Sequence, residues 1–347
     1  MSFDKASVII LNYNGLRNLG KILEDCVESV LETDYPNFEV LFVDNASNDG
    51  SVDFIRKRYG SNKRFHIMQN EENFGFAEGN NIGMRNAKGK YIALVNTDAK
   101  VEPSWLKELV KAIQPADIGA AQSKLLLMES PNLLDCAGGF IDYYGYHHFE
   151  VGYKQESNKY NRSYEIFYAK GAGMIIKKEV LRSAGMFDPK IFMYFDETDL
   201  CWRIRLNGYK VIFVPTSLVY HANKIIASSL REKTKVYFST RNHLLVILKN
   251  CNSENLLKVT LISIIWEIRN IAKFVLKRKP HLIVAIAKAL LWNLTNLQYI
   301  WEKRQITQKI VRKVPDEIIR KLMLKPYPPF PLSLIFSRFR YLKRQSK

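Results

Sequence analysis

Nowhere in the 347 residues does the sequence run for the ~20 apolar positions that a bilayer-crossing helix needs. The two best stretches fail differently: 259–266 is short, and 289–301 is broken by Asn293, Thr295, Asn296 and Gln298. Cysteine is scarce. Cys26, Cys136, Cys201 and Cys251 are scattered with no CxxC pair, which excludes a disulfide scaffold, argues against structural zinc and favours a reducing compartment. The first residues, Met1-Ser2-Phe3-Asp4-Lys5-Ala6, lack the apolar centre of a signal peptide, so a cytoplasmic location is expected. No Ser-His-Asp or activated-Cys arrangement is visible. Acidic residues nearly vanish late in the chain: residues 231–347 hold 6 Asp and Glu against 25 Lys and Arg, whereas residues 1–230 hold 28 against 27. The net charge of +18 therefore resides in the last third. A near-neutral domain over 1–228 followed by a basic helical region over 229–347 is the expected division.

What is present in the first two thirds is alternation. Apolar runs at Ser7–Tyr13, Phe38–Val43, Phe65–Met68 and Lys90–Val95 read as strands, and between them residues recur at helical spacing, as in Leu19, Ile22, Leu23, Cys26, Val27 and Val30. Such alternation predicts an α/β fold with a mostly parallel central sheet and helices on both faces, where ligands lie at the carboxyl ends of the strands. Three of those ends are polar or acidic: Asn12-Tyr13-Asn14-Gly15, Asp44-Asn45 and Asn96-Thr97-Asp98. A further cluster, Asp196-Glu197-Thr198-Asp199, follows an aromatic run and opens a segment of helical spacing. Acidic residues suit the first turn of a helix, where free N–H groups and the positive dipole end lie. Four such places on one rim concentrate negative charge at a cost that a divalent cation relieves. Oxygen ligands suit Mg2+ or Mn2+, and Mg2+ usually joins one or two carboxylates to substrate phosphates.

Six motifs together resemble a family 2 glycosyltransferase of the GT-A fold, near the branch of rhamnosyl- and galactofuranosyltransferases. They are Val8–Gly15, Val43–Ser51, Asn73–Gly83, Leu94–Asp98, Gly171–Met174 and Phe192–Arg203, in that order. The resemblance implies an inverting sugar transfer from a nucleoside-diphosphate sugar, with a rhamnose-like donor first. It implies that Tyr13 stacks on the base with Asn14 beside it, that Asp44 accepts from base or ribose, and that Asn73, Gly75 and Asn80 line the donor pocket. Asn96 and Asp98 stand where the family carries its DxD-type motif. Asp98 is implied to hold the Mg2+ or Mn2+ with His221, and Asn96, in place of the usual Asp, implies that metal and donor bind together. The family's Glu-Asp pair is inverted here to Asp196-Glu197. By position Glu197 falls on the general base, with Asp196 or Asp199 in support, and Arg203 either neutralises these carboxylates or touches the diphosphate.

The basic last third mixes apolar helices, Trp and abundant Lys and Arg, a pattern expected to lie on an anionic membrane face. A lipid-linked or cell-surface glycan presented at the cytosolic face is then the expected acceptor; packing on the catalytic part or a homo-oligomer contact is the alternative. No nucleic-acid motif occurs, so no nucleic acid is expected as partner. A polyprenyl-phosphate sugar synthase of the same fold, or an inactive member acting as a scaffold, are the other readings the residues leave. The Tyr- and His-rich segment 133–170 is expected as an aromatic acceptor loop or a β-hairpin.

Overall fold

A computed structural model describes residues 3–222 and 232–325. Four parallel strands form its first half: β1 (Ala6–Asn12), β2 (Phe38–Asp44), β3 (Phe65–Gln69) and β4 (Tyr91–Asn96), in the order β3-β2-β1-β4. β1 and β2 are buried along almost their whole length because helices cover both faces, which is why they read as unbroken apolar runs. Those helices are α1 (Gly15–Leu19), α2 (Lys21–Leu31), α3 (Ser51–Tyr59) and α4 (Gly75–Asn86). From β1 the chain steps outward to β2 and β3, then returns to β4 on the other side, so a crevice opens at the carboxyl ends of β1 and β4.

Parallel pairing belongs chiefly to this half. Beyond β4 come β5 (Ala99–Val101), α5 (Trp105–Ala112), β6 (Ile118–Leu127), β7 (Ser130–Cys136), the pair β8 (Gly139–Ile141) and β9 (His147–Glu150), and β10 (Tyr164–Glu165). Then follow β11 (Met174–Lys177), α6 (Lys178–Ala184), α7 (Asp196–Leu206) and β12 (Lys210–His221). β11 runs antiparallel between β4 and β6, and β5, β7 and β10 are antiparallel additions, while β12 pairs parallel with β6. The segment 133–170 supplies the β8–β9 hairpin.

After residues 223–231 the chain forms α8 (Glu232–Asn250), α9 (Ser253–Leu276), α10 (Pro280–Thr295), α11 (Leu297–Ile306) and α12 (Asp316–Arg320). The charge step near 228 has no counterpart in the packing. Leu245, Val246, Ile300, Val311 and Ile319 belong to the same buried cluster as Ile9, Leu94 and Leu200. α9 nevertheless leaves Leu257, Leu261, Ile264, Ile265, Ile268, Val275 and Leu276 exposed, a stripe at helical spacing. Among the described residues no helix is long and apolar enough to cross a membrane. The Pro-rich and basic tail, 327–344, lies outside the described residues.

His243 of α8 shows how closely the helices dock. It is buried, its Nε2 lies 2.9 Å from the Tyr144 carbonyl, and its ring stacks on Tyr146 at 4.0 Å. Burial pushes its pKa down to about 4, against the hydrogen bond to the Tyr144 carbonyl and the charge of Asp142. A depressed folded pKa means that the neutral ring's contribution is present above the ordinary histidine value and is lost as pH falls toward 4. Over that window wild type is expected to lose about 3 kcal/mol more stability than His243→Gln. Chemical denaturation at pH 7 and pH 4.5 checks this; parallel losses in the two proteins would refute it.

Candidate active site

The strand ends meet where the alternation predicts. Asn12, at the end of β1, pairs in register with Asp44 at the end of β2 and donates to its Oδ1 at 2.7 Å. Asp44 is fully buried, and its oxygens also accept from the Ser47 hydroxyl at 2.6 Å and the Ser47 amide at 2.8 Å. Asp44 thus anchors the loop after β2. Asn14 is tied to the same loop in the left-handed region (φ 52°), its Oδ1 accepting from the Asn48 amide at 2.9 Å. Tyr13 between them projects outward, 49% exposed. An exposed ring on a fixed loop is an available stacking face.

Asn45 extends the set. Its side chain donates to the Gly75 carbonyl at 2.9 Å and to Asn73 Oδ1 at 3.3 Å, and Asn73 Oδ1 also accepts the Gly75 amide at 2.9 Å. Gly75 opens α4 at φ +75°, and a Cβ there would meet the Phe192 carbonyl at 2.4 Å. The next amide, of Phe76, donates to that carbonyl at 2.7 Å. Gly75 thus lets the start of α4 abut the acidic loop. Asn80 is buried and donates back to the Phe76 carbonyl at 2.9 Å, an intrahelical role.

The acidic cluster forms the first turn of α7. Tyr194 and Phe195 before it both take positive φ, 66° and 67°, a conformation bulky residues rarely adopt. Asn242 of α8 holds them there by donating to the Met193 and Tyr194 carbonyls at 2.7 and 2.9 Å. Asp196 is buried beside Glu197, and burial first, then the neighbouring charge, raises its pKa well above the carboxylate range. Glu197 is half-buried, with Oε1 accepting the Gly171 amide at 3.0 Å. Asp199 faces the other way, fully buried between Arg203 and Lys249 of α8 at 2.8 Å each. Its pKa is lowered: burial works upward, and Arg203 and Lys249 outweigh it. Arg203 also donates to the Ala184 and Met186 carbonyls, at 2.5 and 2.7 Å. Its guanidinium is bonded to the protein interior, where it neutralises Asp199.

Asn96 ends β4 half-buried, its carbonyl accepting from the Cys26 thiol at 3.3 Å. Asp98 and His221 are brought together by the pairing of β5 with β12, which sets His221 against Ala99. His221 Nε2 lies 3.2 Å from Asp98 Oδ1, and its Nδ1 lies 2.9 Å from Asp135 Oδ2. Burial pulls the His221 pKa down, but Asp98 and Asp135 more than reverse this, to about 9. Asp98 Oδ1 and His221 Nε2 are both buried without a partner of hydrogen-bond geometry. Asp98 and His221 present an oxygen and a nitrogen that would suit a divalent cation once it took the place of the proton that the raised pKa keeps on the imidazole. Among the described residues no group of three or more His, Cys, Asp or Glu side chains is arranged to hold one, so the remaining ligands would be oxygens from elsewhere.

Sequence reasoning missed Asp135 and Asn242. Asp135 lies in β7, carried to His221 by pairing with β6, and its Oδ2 is also 3.5 Å from Lys170 Nζ. Lys170 precedes Gly171, so Glu197, Gly171, Lys170, Asp135, His221 and Asp98 form one continuous chain of contacts.

The architecture is GT-A-like. It resembles a Staphylococcus aureus TarS structure, residues 1–349 with UDP-GlcNAc, at TM-score 0.54 and 16% identity, covering 93% of this chain and 94% of that one. It also resembles the mannosyltransferase PcManGT of Pyrobaculum calidifontis with GDP-Man and Mn2+, at TM-score 0.52 and 16% identity, covering 92% and 84%. Residues 7–126 match the model of Glycosyl transferase family 2. Among curated relatives, the putative teichuronic acid biosynthesis glycosyltransferase TuaG of Bacillus subtilis is 34% identical over 102 residues, 29% of this chain and 37% of TuaG. Across the first curated relatives the match spans 23 to 37% of their own lengths.

Proposed function

We propose that this chain transfers a sugar, with inversion, from a nucleoside-diphosphate sugar to a hydroxyl of a glycan acceptor. The observation that carries this reading is the contact chain from Glu197 to Asp98 beside the crevice. It links a carboxylate able to take a proton, through successive protein contacts, to side chains that suit a cation and its diphosphate. Tyr13 offers its exposed face to the base, and the loops anchored by Asp44, Asn45 and Asn73 shape the donor pocket. Asp98 and His221 would hold the Mg2+ or Mn2+, which when bound stabilises charge on a departing nucleoside diphosphate. Glu197 accepts the proton of the attacking hydroxyl. Asp196, Arg203 and Asp199 fix the start of α7 that carries it. A deoxythymidine-diphosphate-rhamnose-like donor is the first candidate and a uridine-diphosphate sugar the second.

Screening nucleotide sugars for release of nucleoside diphosphate, with and without Mn2+, tests the reading. Metal-dependent release from at least one sugar is expected, and calorimetry should show Mn2+ binding only together with nucleotide. Tight Mn2+ binding to the empty protein would contradict the shared site, and no release from any sugar would favour the scaffold reading.

The acceptor is proposed to be lipid-linked and met at the cytosolic face of a membrane. The exposed apolar stripe of α9 is flanked by Lys258, Arg269, Lys273 and Lys277, a basic apolar face that complements anionic lipid. Flotation with phosphatidylglycerol vesicles is expected and should weaken with salt, by about 1 kcal/mol of attraction per basic residue screened. Equal flotation with phosphatidylcholine alone, or a DNA gel shift without flotation, would overturn it.

A further inference from the structure

A cavity of about 290 Å3 lies between the start of α7, the β8–β9 connection and the helices α8 to α10. All of its lining residues fall outside residues 7–126, so the family match says nothing of it. One wall is aromatic. Tyr146 stacks on His243 at 4.0 Å and leans on Trp266 at 5.1 Å, with Phe195 5.6 Å from the His243 ring. The other wall is polar and holds Glu267, Asn270 and Ser239. Glu267 is buried, accepts from Asn270 at 3.2 Å, and has its pKa raised by that burial. The buried Tyr146 hydroxyl meets no partner of hydrogen-bond geometry.

A buried carboxyl group on the cavity wall favours an occupant that can hydrogen-bond to it. A hydrocarbon chain filling the space would offer Glu267 no hydrogen bond beyond the one from Asn270. A sugar ring satisfies both walls, because its C–H face lies on aromatic rings while its hydroxyls reach Glu267 and Asn270. The volume is at the small end of ligand pockets, which run ~300–1,000 Å3, and suits one ring rather than a chain. Phe195, which joins the cavity to α7, stands two residues before Glu197.

We infer that this cavity is a carbohydrate subsite that seats one sugar unit of the acceptor, with Glu267 as its polar anchor. The inference rests on the transferase reading for its role, but not for its chemistry. The outer face of the helix that supplies Trp266 and Glu267 is the exposed apolar stripe, so a lipid-linked acceptor would meet the stripe and the cavity on one element.

Saturation-transfer NMR on the full chain, with methyl glycosides of rhamnose, galactose and glucose and with geraniol as the apolar probe, tests this. Transfer to at least one glycoside is expected. It should fall about tenfold in Glu267→Gln, the loss of one charged hydrogen bond, and in Ser239→Leu, which fills the cavity and leaves the carboxyl group intact. Unfolding midpoints near that of wild type identify variants that have kept their fold. Transfer to geraniol alone, no transfer to any probe, or glycoside transfer unchanged in the folded variants would each overturn the proposal. Calorimetry with UDP and Mn2+ on the same samples reads the donor site separately. Glycoside binding through Glu267 without nucleotide binding would sink the donor reading and keep the subsite; the reverse would sink the subsite alone.

Discussion

Glu197→Gln is expected to abolish nearly all sugar transfer, a loss of ~10²–10⁴-fold, while nucleotide and metal bind as before. The amide keeps the size of the side chain and can still accept the Gly171 amide through its oxygen, a bond of 3.0 Å in the native site. What it cannot do is take a proton. The structure separates the three carboxylates that the sequence leaves grouped. Asp199 is sealed between Arg203 and Lys249, which lower its pKa and bar it from solvent, so it is a poor base. Asp196 is buried, with its pKa raised by burial first and then by the neighbouring Glu197. Glu197 remains as the half-exposed acceptor beside the crevice. Single-turnover transfer and nucleotide calorimetry on Glu197→Gln and Asp199→Asn check the assignment. Asp199→Asn should lose stability before it loses chemistry. Normal transfer by Glu197→Gln would remove Glu197 from the role.

The parts of this site that were legible in the sequence are local. β1, β2 and β4 each end in polar turn residues, and the apolar run stops where the strand stops, so Asn12, Asp44 and Asp98 could be placed on one rim without coordinates. Asp135 could not. It reaches His221 because β7 returns along β6 with a register shift, and a register of that kind leaves no periodic trace. The last third differs in another way. Its Lys and Arg read as a face for anionic membrane, yet Arg241, Lys249 and Arg304 are buried and bonded to the interior. A signal was present: Asp188 and Asp199 flank the aromatic run, and Arg203 alone cannot balance two buried carboxylates. The missing cation had to come from elsewhere in the chain, and only the fold shows that it comes from α8. The tight φ values of Tyr194 and Phe195 are equally non-local, since the donor that stabilises them is Asn242.

That borrowed cation sets the largest expected effect on stability. Lys249 Nζ lies 2.7 Å from Asp188 Oδ2 and 2.8 Å from Asp199 Oδ1, and all three side chains are almost fully buried. Tyr299 donates to the other oxygen of Asp188 at 2.5 Å, and Asn250 donates to Asp199 at 2.9 Å. Replacing such an ion pair wholesale with apolar groups is often neutral, but removing one partner strands the other charge. Lys249→Met keeps most of the volume and leaves two buried carboxylates facing one guanidinium. The expected cost is about 3–5 kcal/mol. Adding Asp188→Asn to Lys249→Met should recover much of that loss, because the stranded charge is then gone. The pH dependence carries the sign. The Asp188 pKa is held below the ordinary carboxylate value: burial works upward, and the charge of Lys249 more than offsets it. A lowered folded pKa contributes stability above the unfolded value that disappears as pH falls through the folded one. The gap between wild type and Lys249→Met should therefore be full at pH 7 and narrow below about pH 4, where the carboxylates gain protons. Denaturant titrations at both pH values measure it. A Lys249→Met protein as stable as wild type at pH 7 would show that α8 is not anchored through this network, and that the start of α7 owes its position to packing alone.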